Sequence, residues 1–216
     1  LGFGQVALLE NLRFHPEEER NDPGFASSLA SIADVFVGDG FGVSHRAHAS
    51  TEGITRHLPS VAGLLMKKEL EVLGSLLRLP KRPMTVVLGG AKVSDKLGVL
   101  ENFLDKVDAI LIGGGMAATF IKAKGFETGL SLVEDEMIAT AKGIIDQSVK
   151  ADISLVTPSD VVIADSFDKD AISRTVDADM IPNNCYIMDI GHKTLDLFRA
   201  QLANSKTILW NGPMGV

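Results

Sequence analysis

The sequence predicts an α/β protein of two lobes, each built on a parallel β-sheet flanked by helices in the Rossmann-like manner. Three observations carry that expectation. Short β-branched runs alternate with amphipathic stretches in β-α-β-α order. Several of those runs are continuously apolar, as strands covered on both faces are. Two of them end in glycine clusters that open into helices.

Strands are expected at residues 6–10, 34–39, 84–89, 109–113, 153–156, 161–164, 186–190 and 207–210. Asp22 and Pro23 supply an N-cap and a first-position proline for a helix running to Ala33, and Ser94 and Thr194 are further N-cap candidates. Over residues 65–78 the apolar positions Leu65, Met66, Leu70, Leu73, Leu76 and Leu77 recur close to a 3.6-residue period, which predicts one long helix. A boundary is expected near residue 66. Residues 1–66 form part of one lobe and 67–216 hold an interlobe helix and most of the other. Four of the five histidines precede that point and the glycine-rich junctions follow it. The charge is −4 before it and −3 after, so neither half is a basic module.

Composition narrows the function. With 45% apolar and 23% charged residues over 216 positions, the chain has the means to bury a core. A net charge of −7 argues against a broad nucleic-acid surface, because phosphate backbones call for an excess of Lys and Arg. The longest uncharged apolar run, residues 109–121, has 13 positions, three of them glycine, whereas a membrane span needs about 20. Cys185 stands alone, so neither an internal disulfide nor a thiolate metal site is expected, and the reading is of a reducing, cytoplasmic setting with no membrane or nucleic-acid partner. The opening LGFGQ and the closing TILWNGPMGV both read as cuts within a longer protein.

Two places carry chemistry. LGGAKVSDK, residues 88–96, leaves an apolar strand, turns through two glycines and enters a helix beside Lys92 and Lys96. Glycines admit a ligand to the backbone, a helix start offers N–H groups, and lysines add point charges: the parts of a phosphate cradle, without the P-loop spacing. A plain tight turn with two solvated lysines is an even alternative on spacing alone. IGGGM at residues 112–116 repeats the arrangement about one βαβ unit later, so two glycine-lined edges meet one crevice. Neither junction reads Gly-x-Gly-x-x-Gly, which disfavours a dinucleotide oxidoreductase. The second place pairs Arg13, in ENLRFH, with Arg46, in HRAH. Each follows an apolar strand by a few residues, and guanidiniums beside imidazoles suit a small dianion. The bland alternative pairs each arginine with a local acid such as Glu10 or Asp39. His45 and His48 make a poor metal site, since no Cys or carboxylate completes the set. Glu17, Glu18, Glu19 and Arg20 read as a solvated face, Trp210 as core, Cys185 as a small buried hydrophobe, His192 as a surface residue and residues 211–213 as a turn.

Together ENLRFHPEEE, SHRAHASTEG, LPSVAGLLMKKELE, LGGAKVSDK, LIGGGMAATF, SLVEDE and ILWNGPMGV, in this order across the chain, resemble the phosphoglycerate kinase family. The resemblance covers this whole sequence and about half of the family's usual length. It implies a monomeric, hinge-bending glycolytic enzyme that moves a phosphoryl group reversibly between ATP and the carboxylate of 3-phosphoglycerate, giving ADP and 1,3-bisphosphoglycerate. Each lobe would hold one substrate, and closure would bring them in line. Arg13 and Arg46 match arginines that bind the phosphoglycerate, with His48 in the same basic patch. Lys92 matches the lysine that steadies the transferring phosphoryl, and Lys96 the one that meets the nucleotide phosphates. Ala91, Gly114, Gly115, Gly212 and Met214 match positions lining the nucleotide site, with Asn211 beside them. Mg2+ arrives with the nucleotide, its protein ligand expected outside these residues. The family's ribose-binding Glu falls two residues past Val216. By the same comparison the piece alone would be inactive or binding-only. Gly38 and Gly40 stand where the family has Asn and Ala, Ile187 where it has Gly near the base, and His192 where it has Pro, so the loop before Arg46 and the fit of adenine both differ.

Overall fold

The computed structural model describes all 216 residues apart from the side chain of Leu77, which leaves that position of the expected apolar stripe outside the described residues. The chain forms two compact units, Leu1–Leu79 and Pro80–Val216. The division follows the long helix, whereas the sequence reading sets it at the start of that helix, near residue 66.

The first unit holds helices α1 (Pro16–Glu19) and α2 (Pro23–Ala30), strands β1 (Phe36–Gly38) and β2 (Ser60–Ala62), and helix α3 (Leu64–Arg78). Asp22 caps α2 as its sequence implies, with Oδ1 accepting from the Phe25 N–H at 2.8 Å. The two strands pair in parallel, Val37 opposite Val61. Residues 6–10 form no strand. Val6 is 93% exposed and has no neighbouring strand, and β-propensity without a ladder partner does not hold an extended segment. β2 escapes the sequence reading because SVA between Pro59 and Gly63 is too short to show a period. Helix α3 starts at Gly63 without a local cap, and Asp39, just past β1, accepts from the Met66 N–H at 2.9 Å in its place.

The second unit runs β3 (Met84–Leu88), α4 (Leu97–Phe103), β4 (Ala109–Ile112), α5 (Met116–Ala123), α6 (Ile138–Lys150), β5 (Ser154–Val156), β6 (Asp160–Ala164), β7 (Ser173–Asp177), β8 (Tyr186–Ile190), α7 (His192–Ala203) and β9 (Thr207–Asn211). Four strands form a wholly parallel sheet in the order β5-β4-β3-β9. Alternation along β3 and β4 fills both faces. Val86, Leu88, Ile110 and Ile112 join Leu100, Phe120 and Ile144 on one side, while Val87 and Leu111 meet Ile190 and Phe198 on the other. That two-sided burial is why these strands read as unbroken apolar runs. Trp210 departs from its expected place in the core: on edge strand β9 it is 65% exposed, and its Nε1–H donates to the Gly212 carbonyl at 2.7 Å.

Strands β7, β6 and β8 form a separate antiparallel sheet in that order, a departure from the all-parallel expectation. Its polar, short outer strand β7 carries no apolar run to announce it. Thr194 also departs from its expected role. It lies inside α7, whose N-cap is Gly191, and the buried Asp160 of β6 caps the helix from outside. Asp160 Oδ1 accepts from the Thr194 N–H at 2.8 Å and its hydroxyl at 2.7 Å, and Oδ2 from the Lys193 N–H at 3.0 Å. Among the described residues no helix is long and apolar enough to cross a membrane.

Candidate functional site

In the second unit β3, β4 and β5 follow one another across the sheet, while β9 lies on the far side of β3. The order therefore reverses at β3, and ligands of open α/β sheets settle where the strand order reverses, beyond the carboxyl ends. Here the strand ends are Leu88, Ile112 and Asn211, followed by Gly89-Gly90, Gly113-Gly114-Gly115 and Gly212-Pro213. The three turns interlock. The Gly89 N–H donates to the Asn211 carbonyl at 2.9 Å, the Gly90 N–H to Pro213 at 3.1 Å and the Gly114 N–H to Met214 at 2.8 Å. Gly114 adopts φ +64°, and a Cβ there would lie 2.6 Å from both Gly90 N and Pro213 O, so only glycine fits this crossing.

That interlock corrects one part of the sequence reading. Most glycine amides serve backbone carbonyls rather than standing open to a ligand. Among the described residues, the amides of Ala91, Lys92 and Gly115 have no acceptor. Ala91, Gly114, Gly115 and Met214 line one mainly apolar pocket of about 350 Å3, with Phe167 and Ile187 on its walls. Ile187, singled out above by its departure from the family, lines this pocket. Lys96 reaches across the crossing, its Nζ donating to Asn211 Oδ1, with its stem beside Gly90. Lys92 is exposed and, among the described residues, has no carboxylate within ion-pair distance.

Ser94 does not cap a helix with its own side chain. It sits in a 3-10 turn, Ser94–Lys96, and Glu134 from the SLVEDE segment caps that turn. Glu134 Oε2 accepts from the Val93 N–H at 2.5 Å and the Ser94 N–H at 3.2 Å, and Oε1 from the Ser94 hydroxyl at 2.5 Å. Burial pushes the Glu134 carboxyl up, but the Ser94 hydroxyl, the two amides and the Lys92 charge outweigh it and hold the group below its ordinary value. Spacing gives no sign of this contact, because the carboxylate and the turn are 40 residues apart.

In the first unit Arg13 lies in a 3-10 turn, Leu12–Phe14, after an irregular segment rather than a strand. Its Nε is 3.8 Å from Glu19 Oε1, so the local acid it meets is neither Glu10 nor Asp39. Arg46 lines a pocket of about 300 Å3 with Asp39, Ser50 and Thr51, and its Nε is 3.4 Å from His45 Nε2. Glu18 joins the two segments that carry these arginines. The expected solvated face is interrupted there: Glu18 is 3% exposed, and its carboxylate accepts from the Ser50 N–H at 3.0 Å and the Ser50 hydroxyl at 2.5 Å. Its carbonyl also accepts from the Ala49 N–H at 3.0 Å. His48 Nδ1 lies 3.7 Å from Glu18 Oε1, an ion-pair distance too long for a hydrogen bond. Glu18→Ala leaves the Ser50 amide and hydroxyl without this acceptor and is expected to cost about 2 kcal/mol. Urea unfolding of the intact protein checks this, and an unchanged midpoint would remove Glu18 from its linking role.

Comparison with known proteins follows this geometry. A family model described as phosphoglycerate kinase matches residues 1–216. Relatives named phosphoglycerate kinase are 50% identical in Moorella thermoacetica over 213 residues, 52% in Prosthecochloris aestuarii over 214 and 54% in Pelotomaculum thermopropionicum over 213. Each alignment covers 99% of this chain and 54% of the relative. The chain thus spans about half the length of the curated relatives it matches. Among solved structures, phosphoglycerate kinase from Coxiella burnetii superposes with a TM-score of 0.83 at 40% identity, covering 99% of this chain and 55% of that one. The enzyme from Pyrococcus horikoshii OT3 gives 0.82 at 34%, covering 99% and 56%. With a family match over residues 1–216, relatives at about half identity and the same fold in solved structures, the chain belongs to the phosphoglycerate kinase family.

Proposed function

We propose that the intact protein is a cytoplasmic, monomeric phosphotransferase that moves the γ-phosphoryl group of ATP to the carboxylate of 3-phosphoglycerate and back. One observation carries the reading: open amides at Ala91, Lys92 and Gly115 lie with Lys92 and Lys96 beside an apolar pocket at the strand ends. That combination suits a nucleotide, with its base against apolar walls and its phosphates toward N–H groups and ammonium charges. In the forward step a carboxylate oxygen bonds to the γ-phosphorus as the bond from that phosphorus to the β,γ-bridging oxygen breaks, and ADP leaves. Donor and acceptor are both anionic, so catalysis rests on positioning and on cations at the equatorial oxygens.

In this reading Lys92 is the cation on the transferring group, and Lys96 leaves Asn211 for the nucleotide phosphates. Ala91, Gly114, Gly115, Gly212 and Met214 shape the nucleotide site. Arg13 and Arg46 hold the phosphoglycerate, with His48 beside them. Arg13 and Arg46 act with the catalytic set because each guanidinium offers two parallel donors to one anionic group. Family membership also implies Mg2+ with the nucleotide. Its protein ligand is expected outside these residues, so no step is assigned to it; among the described residues no three His, Cys, Asp or Glu side chains gather at one place.

The test is a coupled assay on the intact protein with ATP and 3-phosphoglycerate, the acyl phosphate product being trapped by hydroxylamine. ATP-dependent hydroxamate is expected, and its absence at saturating substrates would overturn the proposal. Arg46→Ala is expected to raise the phosphoglycerate KM by roughly 10-fold or more with nucleotide affinity unchanged, from the loss of charge-assisted hydrogen bonds. The half-length coverage favours a second reading for the 216 residues alone, namely nucleotide binding without turnover. Calorimetry with ADP beside the same assay separates the two.

A further inference from the structure

Glu134 has no part in the substrate contacts proposed above, yet it meets the segment that carries both lysines. Its carboxylate closes three hydrogen bonds on Val93 and Ser94, the two residues after Lys92. Its own N–H donates to the buried Thr119 Oγ1 at 3.2 Å, and Thr119 is the fourth residue of α5, the helix that leaves the second glycine turn. One residue therefore fastens the first glycine turn to the helix of the second. Lys92 has no such anchor of its own: its side chain is exposed, its amide is open, and Val93 beyond it is fully buried. The direction in which Lys92 leaves the backbone is set at its carboxyl side by the Glu134 tether and at its amino side by the interlocked glycines.

We infer that Glu134 is a positioning residue for Lys92, acting through the Val93–Ser94 backbone and touching no substrate. The inference rests on the phosphotransferase reading for its consequence, though not for the tether itself. A carboxylate suits the task better than an amide. Two oxygens without protons can take three donors at once, whereas a Gln side chain offers one acceptor oxygen and presents an N–H2 to the remaining donor. The nearby Lys92 charge favours the ionised form of Glu134, so tether and cation support each other electrostatically.

The experiment compares Glu134→Ala, Glu134→Gln and Ser94→Ala with wild type in the intact protein, reading kcat, ADP affinity and amide exchange at Val93 and Ser94. A misplacement near 1 Å costs on the order of 100-fold, so Glu134→Ala is expected to lower kcat roughly 10- to 100-fold with ADP affinity within about threefold. Glu134→Gln, keeping one acceptor, recovers part of that loss. Ser94→Ala keeps both amide contacts and loses least; if Glu134→Ala does not fold, a fall in kcat without a fall in ADP affinity in Ser94→Ala and Glu134→Gln decides the matter. Equal losses in kcat and affinity, an unchanged kcat, or a Gln variant no better than Ala would each overturn the positioning role. Exchange at Val93 and Ser94 separates this outcome from failure of the kinase reading. A wild type without phosphoryl transfer but with protection that Glu134→Ala abolishes sinks the reaction and leaves the tether, whereas unchanged exchange sinks the tether whatever the activity.

Discussion

Lys92→Ala is expected to lower kcat by roughly 100- to 1,000-fold, the cost of removing one preorganised charge from a site where negative charge develops. ADP affinity should move by less than about threefold, because the apolar walls, the open Ala91 and Gly115 amides and Lys96 all remain. The division of labour follows from the geometry. Lys96 is tied across the strand-end crossing to Asn211, while Lys92 is exposed and without a carboxylate partner among the described residues. A cation free of local pairing can follow charge that appears only in the transition state. Steady-state kinetics beside direct ADP titration makes the comparison. Losses of equal size in turnover and in affinity would assign Lys92 to ground-state binding instead.

The second large effect concerns stability. Asp160→Ala removes the acceptor for the Thr194 amide and hydroxyl and for the Lys193 amide, all at the start of α7. With these donors left at a buried helix end, the cost is on the order of 3 kcal/mol. At about 2–4 °C per kcal/mol, the thermal midpoint of the second unit falls by about 6–12 °C. The effect also depends on pH. Burial pushes the Asp160 carboxyl up, but the Thr194 and Lys193 contacts and the Lys193 charge prevail and hold it below its ordinary 3.8. A carboxyl lowered by folding contributes in full above that ordinary value, and the contribution fades as pH drops through the folded-state value. The gap in stability between wild type and Asp160→Asn should therefore stay level down to about pH 4 and narrow as the pH falls further. A gap that stays constant would show that the carboxyl is not held ionised by the helix start.

Local chemistry made the second unit's sheet legible. Strands β3 and β4 declare themselves because both faces are buried and the runs are apolar, and Asp22-Pro23 marks α2 because the cap lies three residues from its donor. Glycine clusters mark the strand-end crossing for a related reason: few other residues pass so close. What sequence reasoning misses is tertiary capping. Asp39, Asp160 and Glu134 each cap a segment far from them in the chain, and each looks like an ordinary surface acid in its own neighbourhood. Ser94 and Thr194, adjacent to those helix starts, attract the cap assignment by default. Glu18 hides in the same way, one buried carboxylate within an acidic run. Residues 6–10 fail in the opposite direction, mostly apolar without a ladder to join.

The place of β9 in the sheet has a kinetic consequence. Leu88 lies opposite Asn211, and the carbonyls of Asn211, Pro213 and Met214 receive the amides of turns that emerge from the ribosome long before them. Pairings of such long range form late, since the intervening loop must be closed first. A nascent chain lacking this strand can build β3, β4 and their helices while the mouth of the pocket stays unfinished. Ligand that recognises only the docked arrangement then draws the equilibrium toward completion.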